Sequence, residues 1–172
     1  MEGLVGELIN WFSWLDNFKF GKEMLVFIIS MLPLLELRGG LIAAVLLGLE
    51  PFAGFTASIL GNILPLPFIL LFLEKILEMM SESKFNKIRK IAKWIYKKAD
   101  KNKSQIEKYG YIGLTIFIGI PIPGTGAWTG CLIAALLKLN RKKAFLSAIL
   151  GILLSSLIMM IVSYGILGGI IN

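Results

Sequence analysis

Three stretches of this chain contain no charged residue: 51–73, 109–137 and 144–172. Each exceeds the roughly 20 apolar residues that cross a bilayer as a helix. A soluble domain of 172 residues, 56% of them hydrophobic, could not bury that much apolar surface. These runs make the chain an all-α integral membrane protein. Cys131 is the single cysteine and histidine is absent. An internal disulfide, a cysteine-based metal site and a histidine proton relay are therefore excluded. With no metal cluster, nucleophile–base pair or nucleotide motif in view, an enzyme is the weakest reading and no resident cofactor is expected. Glu2 and Glu7 precede the first lysine, so the N-terminus lacks the basic start of a signal peptide.

The net charge of +7 is concentrated. Residues 74–108 hold eleven Lys/Arg against five acids, and Phe85, Ile88, Ala92, Ile95, Ala99 and Ile106 recur between them at three- to four-residue spacing. That pattern predicts an amphipathic helix with a basic face, lying along the headgroups as a cytoplasmic linker. A nucleic-acid target helix is the lesser reading for a membrane protein, and no nucleic-acid partner is expected. Residues 1–20 form a second amphipathic segment, with Leu4, Leu8, Trp11, Phe12, Leu15 and Phe18 near one face and Trp11 and Trp14 suited to the membrane–water boundary. The reading is an interfacial helix, with a short tilted helix packed on the bundle as the alternative.

Two hydrophobic segments are broken at their centres. Within 24–49, Pro33, Glu36, Arg38, Gly39 and Gly40 interrupt an apolar run. Proline removes a helical donor and paired glycines favour other conformations. The uncharged flanks, 24–35 and 39–49, are each roughly 16–18 Å as helix, about half a hydrocarbon core. Residues 109–137 repeat the design around Pro121-Ile122-Pro123-Gly124-Thr125-Gly126. Leu41-Ile42-Ala43-Ala44 matches Leu132-Ile133-Ala134-Ala135, and Ala57-Ser58-Ile59-Leu60-Gly61 resembles Ser147-Ala148-Ile149-Leu150-Gly151 after a one-residue gap. Each half is a broken segment followed by a full span.

If each broken segment returns to its own side as a re-entrant hairpin, regions 74–108 and 138–143 share a face carrying 15 of the 18 Lys/Arg. The positive-inside tendency makes that face cytoplasmic. Each half then crosses once, and the second is inverted relative to the first. The expected architecture is an interfacial helix (1–20), repeat 1 (21–73), a basic linker helix (74–108) and inverted repeat 2 (109–172). Inverted repeats with broken helices meeting at the midplane mark secondary transporters.

Pro33, Glu36, Arg38, Gly39 and Gly40, together with the Pro121–Gly126 stretch, resemble the small multi-drug export protein family, a compact relative of the DedA/VTT superfamily. The resemblance covers nearly the whole chain after Phe20. It implies two re-entrant hairpins paired with full spans, movement of polyprenyl-phosphate carriers or phospholipids, and proton or sodium coupling. It also implies a functional glutamate in the first hairpin, which Glu36 matches. The superfamily's second-hairpin arginines have no counterpart, since 121–128 contains none and Arg38 lies in the first hairpin.

Charges at the bilayer centre are costly and functional by default. Glu36 is a candidate to load a proton or Na⁺. Arg38 could hold an anionic headgroup, or pair with Glu36 or with carbonyls freed at the break. Gly39 and Gly40 permit the break. Pro121, Pro123, Gly124, Thr125 and Gly126 precede a return helix whose free N–H groups could receive an anion, or merely allow a tight turn. Asn62, which interrupts the first span with Pro65 and Pro67, is an accessory candidate. Gly165, Gly168 and Gly169 read as close-packing positions. The leading function is an ion-coupled secondary transporter, or a lipid or lipid-phosphate translocase, in the plasma membrane. The alternatives are a non-transporting assembly or structural protein and an exporter of small cationic or amphipathic compounds. The expected partners are the bilayer, a small-molecule or lipid substrate, and a second copy of the chain.

Overall fold

The computed structural model describes residues 2–12, 18–122 and 124–167, and among these every regular element is helical. The expected positions Trp14, Leu15, Pro123, Gly168 and Gly169 lie outside the described residues. The elements are α1 (Glu2–Trp11), α2 (Gly21–Met31), α3 (Glu36–Leu46), α4 (Pro51–Ile63), α5 (Leu66–Ser81), α6 (Asn86–Gly119), α7 (Ala127–Leu136) and α8 (Arg141–Met160), the last continued by a π-helical stretch over Ile161–Leu167. Among the described residues two stretches are long and apolar enough to cross a membrane, Pro51–Leu73 and Arg141–Ile166. Their outward faces are apolar: Phe52, Leu60, Phe68 and Phe72 on the first, Leu146, Leu150 and Leu157 on the second are exposed. So much contiguous apolar exterior suits hydrocarbon and not water.

The first segment breaks at Pro33, while Gly39 and Gly40, expected to permit that break, lie inside α3; the second breaks where Pro121, Gly124 and Gly126 fall. Between α2 and α3 the chain turns through Leu32–Leu35, and Glu36 enters α3 at φ +50, a left-handed conformation unusual for a side chain with a Cβ. α3 packs beside α2, and at their open end the Lys22 ammonium donates to the Leu47 carbonyl at 2.9 Å. In the second segment α6 ends at Gly119 and α7 begins at Ala127. There the Asn140 N–H, just beyond α7, donates to the Tyr111 hydroxyl at 3.1 Å. Pro65 has no N–H to continue the ladder, so the first span is interrupted at Leu64–Pro65.

α3 and α7 end alike. In each, the last-but-one carbonyls are taken by a left-handed C-terminal turn: Gly48 (φ +64) and Leu49 donate to Val45 and Ala44, Lys138 (φ +53) and Leu139 donate to Ala135 and Ala134. Glycines match too. A Cβ on Gly61 would sit 2.2 Å from the Phe27 carbonyl oxygen of α2, and one on Gly151 would sit 2.8 Å from that of Thr115 on α6. Gly61 and Gly151 thus each seat a span against the first arm of its own broken segment. The caps align Ala44 with Ala134, one residue off the Leu41–Ala44 match to 132–135, so the gap falls earlier than the residue pattern places it.

Two amphipathic segments depart from expectation. The basic helix is continuous with the first arm of the second broken segment in the 34-residue α6, turning at Gly110 (φ 57, ψ −129), a conformation open to glycine alone. Its Ala92, Ala99 and Ile106 are buried in one cluster with Leu77 of α5 and Ile133 of α7. That face is covered by protein rather than laid on headgroups, while Phe85, expected on it, is exposed. α1 packs on α3 through Val5, fully buried, with Leu8 and Phe12 beside it, whereas Leu4 and Trp11 of the expected face point outward.

Candidate functional site

The two breaks are fastened to each other. Glu36 carries its carboxylate out of the left-handed turn to the start of α7, where Oε2 accepts from the Ala127 N–H at 3.1 Å and Oε1 from the Trp128 N–H at 3.2 Å. The first N–H groups of a helix have no intrahelical acceptor and the helix dipole favours an anion there. In return, the Arg38 guanidinium donates from its two terminal nitrogens to the carbonyls of Ile122 and Thr125, both in the second break. The planar fork of arginine fits two such acceptors at once. Glu36 and Arg38 are both buried, at 8% and 7% exposure. Two residues from one break therefore satisfy the donors and the acceptors that the other break frees. Trp128 adds a third tie, its indole N–H donating to the Met31 carbonyl at the end of α2 at 3.2 Å.

Gly126 makes this approach possible. It stands in extended backbone (φ −155, ψ −175), which any residue adopts, but a Cβ on it would lie 1.8 Å from Glu36 Oε2. Gly39 and Gly40 serve packing: a Cβ on Gly39 would lie 2.5 Å from Leu35 Cβ, and one on Gly40 only 1.8 Å from Ser30 Oγ. Thr125 folds its hydroxyl back onto the Ile122 carbonyl at 2.8 Å and Ile120 at 3.1 Å, and Gly124 takes φ +90 to close the turn. Pro121 is half-buried in the same break, and Pro123 lies outside the described residues. Asn62 is buried on α4.

The structure thus brings together Glu36, Arg38, Thr125 and Gly126 as the sequence suggests, with a different assignment of partners. The anion received by the α7 N-terminus is Glu36 itself, and Arg38 holds carbonyls of the opposite break. The sequence reading misses Ala127, Trp128, Ile122 and Met31, which contribute through backbone groups that carry no residue signature. The one usable signal for the first two is a glycine immediately before an apolar helix.

Beside this clasp lies an apolar groove of about 470 Å³, lined by Met31, Pro65, Phe68, Phe72, Ile76 and Trp128. Met31 and Trp128 belong to both the groove and the clasp.

Described residues whose regular elements are all helical, with an apolar exterior, two helices long and apolar enough to span a bilayer, and buried ionic groups joining two helix breaks, place the chain in the class of helical membrane proteins. A family model described as "Putative small multi-drug export protein" matches residues 36–158, more than two thirds of the chain, and the chain belongs to that family. The match begins at Glu36 and includes α3, α7, the second break and most of α8. Comparison with curated proteins and with solved structures gave no match.

Proposed function

We propose that this protein is an ion-coupled membrane exporter of small amphipathic compounds, in which the clasp between the two breaks is the gate and Glu36 the coupling group. The observation that carries the reading is the reciprocal fastening of the breaks by Glu36 and Arg38. An ion that neutralises Glu36 removes the charge assistance from its bonds to α7, frees the α7 N-terminus and lets the breaks part. Ion release restores the clasp. The adjoining groove offers aromatic and aliphatic walls for an apolar body, and in this reading a cationic group competes with the ion for Glu36, which lies outside the groove lining. Arg38 already donates to two carbonyls, which favours this substrate class over the lipid phosphates of DedA-like proteins. The test is flux of a cationic amphipathic dye in proteoliposomes. Accumulation driven by a proton or Na⁺ gradient is expected, and equal movement into protein-free vesicles would refute the exporter.

In this reading the pairs α2–α3 and α6–α7 are re-entrant hairpins of an inverted repeat, with their breaks meeting at the midplane. Three contacts support it. Lys22 with Leu47 and Tyr111 with Asn140 bring each pair's outer ends together. α8 leaves the Tyr111–Asn140 end and, near its far end, donates from the Tyr164 hydroxyl to the Leu49 carbonyl, so the two pairs open in opposite directions. The basic part of α6 lies beside the end of α7, with Lys97 and Lys103 lining one cavity with Leu136 and Leu137. Cysteines introduced at exposed positions 90 and 142, after replacement of the buried Cys131, are expected to react with an impermeant maleimide from the cytoplasmic side alone. Labelling of the two from opposite sides would overturn the topology.

A further inference from the structure

Two buried side-chain oxygens on one face of α4, Ser58 Oγ and Asn62 Oδ1, have no hydrogen-bond partner. Both residues are at least 98% buried. They stand one turn apart, so they share a helix face. Across from them, Ser30 Oγ and Ser58 Oγ flank the point where Gly40 would carry a Cβ, at 1.8 and 2.8 Å, so the two hydroxyls face one another over that glycine. Ser30 already donates its proton to the Val26 carbonyl at 2.8 Å, which leaves its lone pairs as acceptors. The antiparallel register of α3 and α4 continues the line. Gly54 lies against Ala44 and Ser58 against Gly40. One further turn along each helix leads to Asn62 on α4 and to Glu36, where α3 begins.

The second half places apolar residues at the same points. Gly130 corresponds to Gly40 and meets Ile118 at 2.6 Å where Gly40 meets Ser30. Gly151 corresponds to Gly61, and each also presses on the Cβ of that residue, Ile118 at 2.7 Å and Ser30 at 3.0 Å. Counting from these glycines, Ser58 and Asn62 correspond to Ala148 and Ile152, both fully buried. At these three points the second half packs apolar side chains, Ile118, Ala148 and Ile152, so close packing alone does not account for the three polar groups in the first.

We infer that Ser30, Ser58 and Asn62 form a binding site for a monovalent hard cation, Na⁺, one helical turn from Glu36. Hydroxyl and amide oxygens are hard ligands. With a single carboxylate nearby they do not supply the several negative ligands typical of Ca²⁺ sites, and without sulfur or imidazole they do not suit transition metals. A cation held there lies close enough to draw the Glu36 carboxylate from the α7 N-terminus, in a medium that screens little. The inference rests on the ion-coupled reading above and names its ion.

Purified protein in detergent is melted in NaCl, KCl and choline chloride at one ionic strength. Na⁺ is expected to raise the melting temperature saturably by about 5 °C, as a ligand of the native state alone does, with K⁺ and choline without effect. The double variant Ser58→Ala with Asn62→Leu, which copies the apolar character of the second half, is expected to fold and to lose the Na⁺ increment. If that variant does not fold, Ser58→Ala alone, which removes one ligand, is expected to weaken the apparent Na⁺ affinity at least about tenfold. Absence of a Na⁺-specific shift in the wild type, or its full retention in these variants, overturns the site. Dye export that still depends on Glu36 in those circumstances would leave the exporter reading standing and remove only Na⁺.

Discussion

Glu36→Gln is expected to abolish ion-driven export and leave a folded protein. The variant keeps the size of the side chain and removes the charge that α7 binds. Glutamine can offer one carbonyl oxygen to the Ala127 and Trp128 N–H groups, but its amide turns donors toward donors. One of the two bonds is then lost and the other is no longer charge-assisted, which costs roughly 1–3 kcal/mol. A clasp weakened to that extent opens without an ion, and with no carboxylate there is nothing for the ion to neutralise. Dye flux should therefore be the same with and without the gradient. The measurement is proteoliposome flux beside a melting curve of the same preparation. Unchanged rate with unchanged ion dependence would remove Glu36 from the coupling role. Failure to fold would make the carboxylate a structural cap of α7.

Gly126→Ala is expected to have the largest effect on stability of any single methyl addition at the site. The backbone at φ −155 accepts alanine without strain, so the added Cβ acts through space alone, at 1.8 Å from Glu36 Oε2 and 2.5 Å from Cδ. The carboxylate must leave the α7 N-terminus while remaining inside the bundle. A buried charge deprived of its partners costs roughly 3–5 kcal/mol. Combining Gly126→Ala with Glu36→Ala gives the methyl room and removes the stranded charge. The double variant should thus be more stable than the sum of the single effects, by a coupling of about 1–3 kcal/mol. Additive losses in thermal melting would mean that the two residues do not meet.

Much of this architecture is written in the sequence. Charge-free runs locate the spans 51–73 and 144–172, and among the described residues the apolar helices Pro51–Leu73 and Arg141–Ile166 stand there. Pro33, and Pro121 with Gly124 and Gly126, locate the two breaks, because proline and glycine act on their own backbone, whereas Gly39 and Gly40 lie within α3 and pack against Leu35 and Ser30. The net +6 of 74–108 sets this stretch apart from the apolar runs, since charge is costly in hydrocarbon wherever it sits, but the structure divides it between the end of α5 and the first part of α6. These are local properties, and local chemistry fixes them.

Pairing between the breaks is decided by the tertiary structure alone. Glu36 meets Ala127 and Trp128, and Arg38 meets Ile122 and Thr125, across more than eighty residues. Both partners are backbone groups, which every residue carries. Nothing in the identity of Ala127 or Ile122 announces its role. Which apolar face turns inward is also settled only in three dimensions. On α5, Leu66, Ile69 and Leu70 are buried while Phe68, Leu71 and Phe72 are exposed. On α1 the buried face is that of Val5, not of Leu4 and Trp11. In water, hydrophobic periodicity separates inside from outside. In a bilayer the lipid is as apolar as the core, so the same residues satisfy either side, and shape complementarity between helices makes the choice.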